Sequence, residues 1–376
     1  MATRNAGLDA ARALAIALVV AAHLGTQFSA GRPYVTAALV QAGGLGVDLF
    51  FSLSGFLIGR ILIREAAGLS AGSVGRFLVR RWLRTLPAYY AVLGFLAWYF
   101  GSNEWASFLF LQNFGLGPQP SILIVSWSLV LEELFYLTFP LLMLGLRPFI
   151  RAPDGLAAAV AGLLILWSVG ARLLVAFLGD PADPTFHINP VLRLDCAAYG
   201  VLAACAVARW PWVRPAMAAR RVAVTAGVGA FCAAMVGVTF LGLRSTAVGL
   251  LHEGGGWLLF LPLRDGLQDA VLAVLVVAWF AWPASGAWRG IAGQASGLAY
   301  AIYLVHAPIM FFVVPHWATR EQPALFVGLT LAATLACAVV LNRAVERPFL
   351  ALRDKLAPSR GGAGVRGVVG VMGHGG

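Results

Sequence analysis

Long apolar stretches alternate with short polar segments along almost the whole chain. A helix needs about 20 apolar residues to cross a bilayer, and ten of these stretches approach or exceed that length. The third stretch is short, and the semi-apolar segment 102–122 that follows it is a candidate re-entrant loop. We therefore predict an all-α polytopic membrane protein with about ten transmembrane helices, at residues 8–28, 43–63, 86–101, 123–146, 155–178, 190–208, 221–242, 267–283, 297–315 and 323–345.

The positions of Lys and Arg predict how these helices are oriented. Most of the 27 basic residues fall in alternate connecting segments, and the opposite set of loops holds only Arg32, Arg244, Arg264 and Arg320. Because cytoplasmic loops of membrane proteins are enriched in basic residues, this asymmetry predicts that both termini are cytoplasmic. The chain would then be a multi-pass membrane protein.

Composition agrees with this class of protein. The residues are 60% hydrophobic and 11% charged, which is more apolar than a soluble domain of this size requires. We attribute the net charge of +11 to the orientation of the helices in the membrane rather than to nucleic-acid binding, because the basic residues cluster in alternate segments. We expect no cleavable signal peptide, because the first apolar segment is too long. Residues 1–350 are predicted to form one transmembrane domain, and 351–376 a Gly-rich, disordered cytoplasmic tail.

Arg12 and His23 are the most informative polar residues, because both lie on the first apolar stretch. Eleven positions at 100° each bring the two side chains back to one helix face, roughly 16 Å apart along the axis. Ionisable groups inside a membrane are costly, at roughly 2.5–3.5 kcal/mol each on insertion scales, and therefore indicate function. Two structural alternatives stay open: Asp9 can pair with Arg12, and His23 can hydrogen-bond a neighbouring helix.

Three further apolar stretches carry polar or small residues on one helix face. The topology places the histidines and the acidic residues of these faces at mid-depth or in the outer half of the membrane. We therefore predict one water-accessible cavity, in which an imidazole near a carboxylate takes a proton from a hydroxyl. The residues are Asp48, Ser52, Gly55 and Gly59 in the second stretch, Ser128, Glu132 and Tyr136 with Glu133 beside them in the fourth, and Tyr303 and His306 in the ninth.

Some of these polar residues also have structural interpretations. Asp48 can anchor the outer end of its helix, and Arg172, Arg193 and Asp195 can form an interhelical ion pair. The basic segment 60–85, which contains RFLVRRWLR, is either a membrane-surface helix held by anionic lipids or a docking site for a phosphate-rich cytosolic donor. These two interpretations are compatible, and the residues alone leave both open. The four cysteines lack metal-ligand spacing, and we predict no metal site and no bound cofactor.

Several motifs occur in order along the chain: Arg12 and His23 with ten residues between them, GVDLFFSLSGFLI (46–58), RRWLRTLPAYY (80–90), SWSLVLEELFYL (126–137), LAYAIYLVHAPI (298–309) and VERPF (345–349). Together they resemble the bacterial acyltransferase-3 family of integral-membrane O-acyltransferases, over about Leu8 to Phe349. The resemblance implies transfer of an acyl group, often acetyl, to a hydroxyl of a glycan, glycolipid or other small acceptor. The acyl source that it implies is cytoplasmic acyl-coenzyme A (acyl-CoA), as a co-substrate.

The resemblance also implies roles for particular residues. His23 is expected to act as general base toward the acceptor hydroxyl, oriented by Glu132 or Asp48. The residues expected to bind the donor are Arg12, Arg80, Arg81 and Arg84. Those expected to contact the acceptor or the developing oxyanion are His306, Tyr303, Glu133 and Ser52.

Two other functions also fit the residues. Buried charges around a membrane cavity suit a transporter or exporter of a glycan or lipid-linked precursor, but no second copy of the RRWLR or Glu-Glu motif marks paired repeats. A non-catalytic assembly or sensor subunit is the other alternative. The expected partners are the acyl donor, a carbohydrate or other hydroxyl acceptor and the bilayer, without nucleic acid. The resemblance also implies a location in the bacterial inner (cytoplasmic) membrane.

Overall fold

The computed structural model describes residues 5–117, 120–178, 188–246, 256–282 and 287–358. Within these ranges the chain forms helices and short connecting segments without a strand, in agreement with the all-α prediction. The α-helices in chain order are α1 Ala6–Gln27, α2 Pro33–Glu65, α3 Ala71–Phe100, α4 Trp105–Phe108, α5 Trp127–Leu146, α6 Pro153–Leu178, α7 Ala198–Arg209, α8 Val213–Ala219, α9 Arg221–Thr246, α10 Gly256–Phe280, α11 Ala287–Pro308, α12 Pro323–Leu341 and α13 Arg347–Leu356.

Among the described residues, seven helical segments are long and apolar enough to cross a membrane, and the chain is a multi-pass membrane protein. The other three predicted spans fall in α3, α7 and α10. Charged residues occupy the first half of α3 and leave an uncharged stretch of only 16 residues, 85–100. Charged residues interrupt α10, and α7 has only 12 residues. The count of ten and the cytoplasmic termini stay predictions. The seven segments are Ala6–Gln27, Pro33–Gly68, Ile124–Leu146, Pro153–Leu178, Arg221–Leu241, Arg289–His316 and Pro323–Leu356.

Helix α3 joins two segments that sequence analysis treated separately. The basic sequence RFLVRRWLR and the predicted span 86–101 form one helix of 30 residues, which begins at a capping box between Ser70 and Ser73. The helix ends at Gly101, whose φ of +64° favours glycine. The arginines of RFLVRRWLR therefore extend from the same helix as the apolar residues of the predicted third span.

Helices α2 and α7 cross at two glycines that leave no room for a side chain. A Cβ atom on Gly55 would lie 1.8 Å from the carbonyl oxygen of Ala197, and one on Gly200 would lie 2.2 Å from the carbonyl oxygen of Ser52. Small residues let membrane helices approach closely, and such approach supplies much of their packing energy. This crossing brings the irregular segment before α7 against the middle of α2.

Alanine at Gly200 is expected to destabilise the protein by more than about 3 kcal/mol, because the added methyl group meets backbone atoms of α2. Thermal unfolding of the detergent-solubilised protein measures the loss. Gly162→Ala in α6 is the matched control, because a Cβ there has no neighbour within 4 Å. Equal melting temperatures for the two variants would contradict the close crossing of α2 and α7.

The last described helix, α13, packs beside α3. Arg80 donates to the carbonyl oxygen of Ala357 and lies 3.4 Å from the carboxylate of Asp354. The predicted domain boundary at residue 350 falls inside α13, which continues to Leu356. The rest of the predicted tail, residues 359–376, lies outside the described residues.

Candidate active site

A cavity of about 120 Å³ lies between α1, α2, α3, α5 and α11. Apolar side chains such as Phe50 and Leu129 form part of its wall. Polar groups from separate helices therefore converge, as the sequence predicted, but the members of the group differ from those expected. The polar side chains of the wall are Arg12, Ser54, Arg81, Arg84, Thr85, Ser128, Glu132, Tyr136, Ser296, Tyr300 and Tyr303.

Glu132 lines this cavity from α5. Its Oε1 accepts a hydrogen bond of 2.7 Å from the hydroxyl of Ser54 on α2, and another from the hydroxyl of Tyr136 one turn later on α5. The guanidinium carbon of Arg81 lies 5.3 Å from the centroid of the Tyr136 ring, in cation–π contact. A carboxylate and a guanidinium are thus held within one small cavity, where they can bind different polar groups of a substrate.

Arg12 lines the same cavity from α1 and is held by Asp9. The Nη1 atom of Arg12 lies 3.2 Å from Oδ1 of Asp9, and this oxygen also accepts a hydrogen bond of 2.7 Å from Ser296 on α11. The Asp9–Arg12 pair that the sequence left open is therefore present. It does not withdraw Arg12 from the cavity, because its side chain stays 20% exposed and forms part of the wall.

His23 and His306 contact each other where α1 packs against α11, and we call them the histidine pair. Nδ1 of His23 lies 3.3 Å from Nε2 of His306. Nδ1 of His23 also lies 3.0 Å from the carbonyl oxygen of Val19, and Nδ1 of His306 lies 2.8 Å from that of Tyr303. His306 is fully buried and His23 is half-buried. Both ring nitrogens of His306 face partners within the protein, and its contact with the acceptor or the oxyanion stays a prediction.

Tyr303 lies between the histidine pair and the cavity. Its hydroxyl lies 2.6 Å from the hydroxyl of Ser128 and donates to the carbonyl oxygen of Val125 at 3.0 Å. Its ring centroid lies 5.9 Å from that of His306 and 6.3 Å from that of Phe50. Tyr303 forms part of the cavity wall, whereas neither histidine does. The predicted single chamber is therefore divided into a cavity with Glu132 and a neighbouring histidine pair.

Asp48 lies in a separate buried cluster of charges. Its carboxylate lies 2.8 Å from the guanidinium of Arg193, which also contacts Asp265 at 2.9 Å and Asp269 at 3.4 Å. We call these four residues the ion cluster. Asp48 pairs with Arg193 and not with His23 in this structure, because a buried carboxylate needs a compensating charge, and its role in orienting His23 stays a prediction.

Ser52 and Glu133 also point away from the cavity. The hydroxyl of Ser52 donates to the backbone carbonyl of Asp269 at 3.4 Å, beside the crossing of α2 and α7. Glu133 accepts a hydrogen bond of 2.8 Å from the hydroxyl of Thr85 on α3. Neither side chain lines the cavity, and their contact with the acceptor stays a prediction.

Sequence reasoning missed several residues of the cavity wall. Ser296 and Tyr300 precede Tyr303 by seven and three positions, so helical spacing places all three on one face of α11. That signal was available in the sequence. Ser54 carries no such signal, because it lies off the small-residue face formed by Ser52 and Gly55. Only the packing of α2 against α5 shows that Ser54 faces Glu132.

A second cavity, of about 310 Å³, adjoins the first and is strongly basic. We call it the basic vestibule. Its charged side chains are Arg76, Arg80, Arg81, Arg84 and Arg353, together with Glu65. Arg81 and Arg84 line both cavities, so the two spaces share a wall of guanidinium groups. Of the predicted donor-binding residues, Arg80 lines the basic vestibule only, and its side chain is partly engaged by the end of α13.

Residues 5–343 match the acyltransferase domain family known as acyltransferase 3. The peptidoglycan O-acetyltransferase of Listeria monocytogenes serovar 1/2a is 27% identical over 378 residues, which cover 91% of this chain and 55% of that protein. A protein of Bacillus subtilis strain 168, provisionally named as a peptidoglycan O-acetyltransferase, is 26% identical over 376 residues, which cover 91% of this chain and 54% of that protein. No solved structure matches the chain significantly.

The chain spans about half the length of the curated relatives that it matches. The family match, by contrast, extends over nearly all of the described bundle, from the start of α1 to the residues that follow α12. It therefore includes the whole cavity and the histidine pair. The ordered motifs, the convergence of Arg12, Arg81 and Glu132 on one intramembrane cavity and this match lead to one conclusion: the chain belongs to the acyltransferase-3 family.

Proposed function

We propose that this protein is a membrane O-acyltransferase that moves an acetyl group from acetyl-CoA to a hydroxyl of a glycan, glycolipid or other small acceptor. The observation that carries the proposal is the junction of the cavity and the basic vestibule at Arg81 and Arg84. Membership in an acyltransferase family favours this function over a transporter or a non-catalytic subunit. The name of the Listeria relative, a peptidoglycan O-acetyltransferase, supports acetyl as the group and a carbohydrate as the acceptor.

The basic vestibule suits the phosphate groups of CoA. Guanidinium groups bind phosphates through paired, charge-assisted hydrogen bonds, and five of them line this one space. A donor whose phosphates lie among these arginines would extend its thioester past Arg81 and Arg84 into the cavity. The same arrangement puts the donor on the side of the basic segments, which the positive-inside rule predicts to be cytoplasmic.

The size of the cavity favours a short acyl group. The cavity is small, at about 120 Å³, and an acetyl group with the thioester sulfur brings only four heavy atoms into it. Phe50 and Leu129 would surround the methyl group, while Arg12 would lie near the carbonyl oxygen.

The proposed reaction is direct transfer with His23 as the general base. The acceptor oxygen bonds to the carbonyl carbon of the thioester, the carbon–sulfur bond breaks, and the thiolate leaves. The proton of the acceptor hydroxyl moves to Nε2 of His23 and is then passed on to the thiolate, so that atoms and charge balance. Because Tyr303 lies between the cavity and the histidine pair, its side chain has to move aside when the acceptor binds.

Arg353 provides a test of the donor site, because it lines the basic vestibule and not the cavity. Arg353→Ala is expected to raise the KM for acetyl-CoA by about tenfold and to leave kcat nearly unchanged, since a lost charge-assisted hydrogen bond amounts to about 1.5–3 kcal/mol. Arg343→Ala is the matched control, because it removes an exposed arginine outside the basic vestibule. Equal KM values for both variants would exclude this space as the phosphate site.

The function itself is tested with purified protein in lipid nanodiscs, acetyl-labelled acetyl-CoA and soluble peptidoglycan fragments or other glycans. We expect release of the free thiol and appearance of label in an alkali-labile ester on the acceptor. Acceptor uptake into proteoliposomes, without thiol release or chemical change of the acceptor, would instead identify a transporter. Neither transfer nor uptake, together with a tightly bound protein partner on purification, would favour the non-catalytic subunit.

A further inference from the structure

Backbone carbonyl groups beside the histidine pair identify which ring nitrogens carry a proton. Nδ1 of His306 lies 2.8 Å from the carbonyl oxygen of Tyr303 and 3.1 Å from that of Ile302. A carbonyl oxygen only accepts hydrogen bonds, so this nitrogen carries a proton. In neutral His306, Nε2 is then the nitrogen with the lone pair, and it faces Nδ1 of His23 at 3.3 Å.

The same argument assigns the protons of His23. Its Nδ1 lies 3.0 Å from the carbonyl oxygen of Val19, so this nitrogen also carries a proton. That proton is shared between two acceptors, the carbonyl oxygen of Val19 and the lone pair of Nε2 on His306. Neutral His23 consequently has its own lone pair on Nε2, which is the nitrogen that a general base uses.

Within the described residues, no carboxylate takes part in this arrangement. The ring of His23 has hydrogen-bond contacts with the backbone carbonyl of Val19 and with His306. Glu132 is bound by Ser54 and Tyr136, and Asp48 by Arg193. In many hydrolases a carboxylate holds the tautomer of the base and stabilises the imidazolium that forms. Here a second, fully buried imidazole occupies that position.

We propose that His306 is a positioning residue for His23: its Nε2 lone pair accepts the Nδ1 proton of His23, holds Nε2 of His23 ready as the base, and stabilises the imidazolium after proton transfer. This inference rests on the proposed function of His23. His306 itself does not touch the substrate. Because it is neutral, His306 stabilises the charged state of His23 less than a carboxylate would, so the base releases its proton more readily to the departing thiolate.

Two substitutions at His306 test the hydrogen-bond acceptor at Nε2 separately from the donor at Nδ1. His306→Asn retains an amide donor where Nδ1 lies, next to the carbonyl of Tyr303, but has no acceptor at the position of Nε2. His306→Gln extends a carbonyl oxygen toward that position. We expect the Asn variant to lose about 10- to 100-fold in kcat with little change in the KM for acetyl-CoA, because a hydrogen bond to the charged imidazolium amounts to about 1.5–3 kcal/mol. The Gln variant should stay within about threefold of the native kcat.

Nitrogen-15 spectra of histidine-labelled protein provide a readout that does not depend on turnover. His23 is assigned as the signal that disappears in His23→Asn. In the native protein we expect its Nδ1 to be protonated and its Nε2 to be unprotonated when the ring is neutral. In His306→Asn the opposite tautomer of His23 should become detectable. The carbonyl oxygen of Val19 should still accept the Nδ1 proton in the remaining molecules. His306→Gln should restore the native spectrum.

The outcomes distinguish this inference from the proposed function. Equal kcat losses in His306→Asn and His306→Gln, or an unchanged kcat in His306→Asn, would overturn it. A native spectrum with the His23 proton on Nε2 would overturn it even if both variants folded poorly. If the native protein transferred no acetyl group, the proposed function would fail, and the spectrum would still show whether His306 sets the tautomer of His23.

Discussion

Replacing His23 with alanine is expected to lower the rate of acetyl transfer by about 10²- to 10⁴-fold, which is the usual contribution of a positioned general base. The half-buried imidazole is the group whose Nε2 lone pair is left free by the hydrogen bonds at Nδ1. The measurement is ester formation on the acceptor under saturating acetyl-CoA. The KM for acetyl-CoA should change little, because His23 does not line the cavity or the basic vestibule.

The control for this substitution is His316→Ala. His316 is an exposed histidine beyond α11, so the variant removes an imidazole without touching the histidine pair. In addition, free imidazole should partly restore transfer by His23→Gly, because it can occupy the vacated space and accept the proton. Equal transfer by the native protein and His23→Ala would remove the proposed base from the mechanism.

Arg193→Met is expected to destabilise the protein by about 3–5 kcal/mol, a large part of the roughly 5–15 kcal/mol by which native proteins are usually stable. Arg193 is buried and contacts three carboxylates of the ion cluster, from Asp48, Asp265 and Asp269. Methionine has a similar volume but no charge, so the variant leaves these carboxylates without their shared partner. Thermal unfolding of detergent-solubilised protein and its yield from membranes measure the effect.

Restoration by a second substitution tests the electrostatic cause of this loss. Asp48→Asn in the Arg193→Met background should recover part of the melting temperature, because it removes one of the uncompensated charges. Arg151→Met is the control, since Arg151 is exposed and its loss should shift the melting temperature little. A double variant no more stable than Arg193→Met would show that packing, rather than charge, makes Arg193 necessary.

Much of the candidate site follows from spacing along single helices. The interval between Arg12 and His23, the face shared by Ser128, Glu132 and Tyr136, and the three-residue step from Tyr303 to His306 are local properties. They hold whatever the neighbouring helices do, because 3.6 residues per turn decide which side chains share a face. The pattern therefore singled out Glu132 correctly as a residue on the polar face of α5, and the structure places it in the cavity.

Depth in the membrane was a weaker guide than spacing. Asp48 has a depth that suits a shared chamber, yet its carboxylate pairs with Arg193 in the ion cluster. Arg172 on α6 and Asp195 in the turn before α7 form a buried ion pair, with contacts of 2.9 and 2.6 Å, whereas Arg193 contacts Asp48. Depth fixes only one coordinate of a side chain. The direction around the helix and the identity of the opposing helix decide which charges meet.

By itself, the sequence determined that this is an all-α, multi-pass membrane protein of the acyltransferase-3 type, and which faces of its helices are polar. Those properties depend on hydrophobicity and helical period, which neighbouring residues specify. The tertiary structure alone decided that His23 meets His306 rather than a carboxylate, that Ser54 and not Ser52 faces Glu132, and that Arg81 and Arg84 join two cavities. These are contacts between helices that are distant in the chain. They depend on how the helices cross, as at the glycine contact of α2 with α7, and no single stretch of sequence specifies such a crossing.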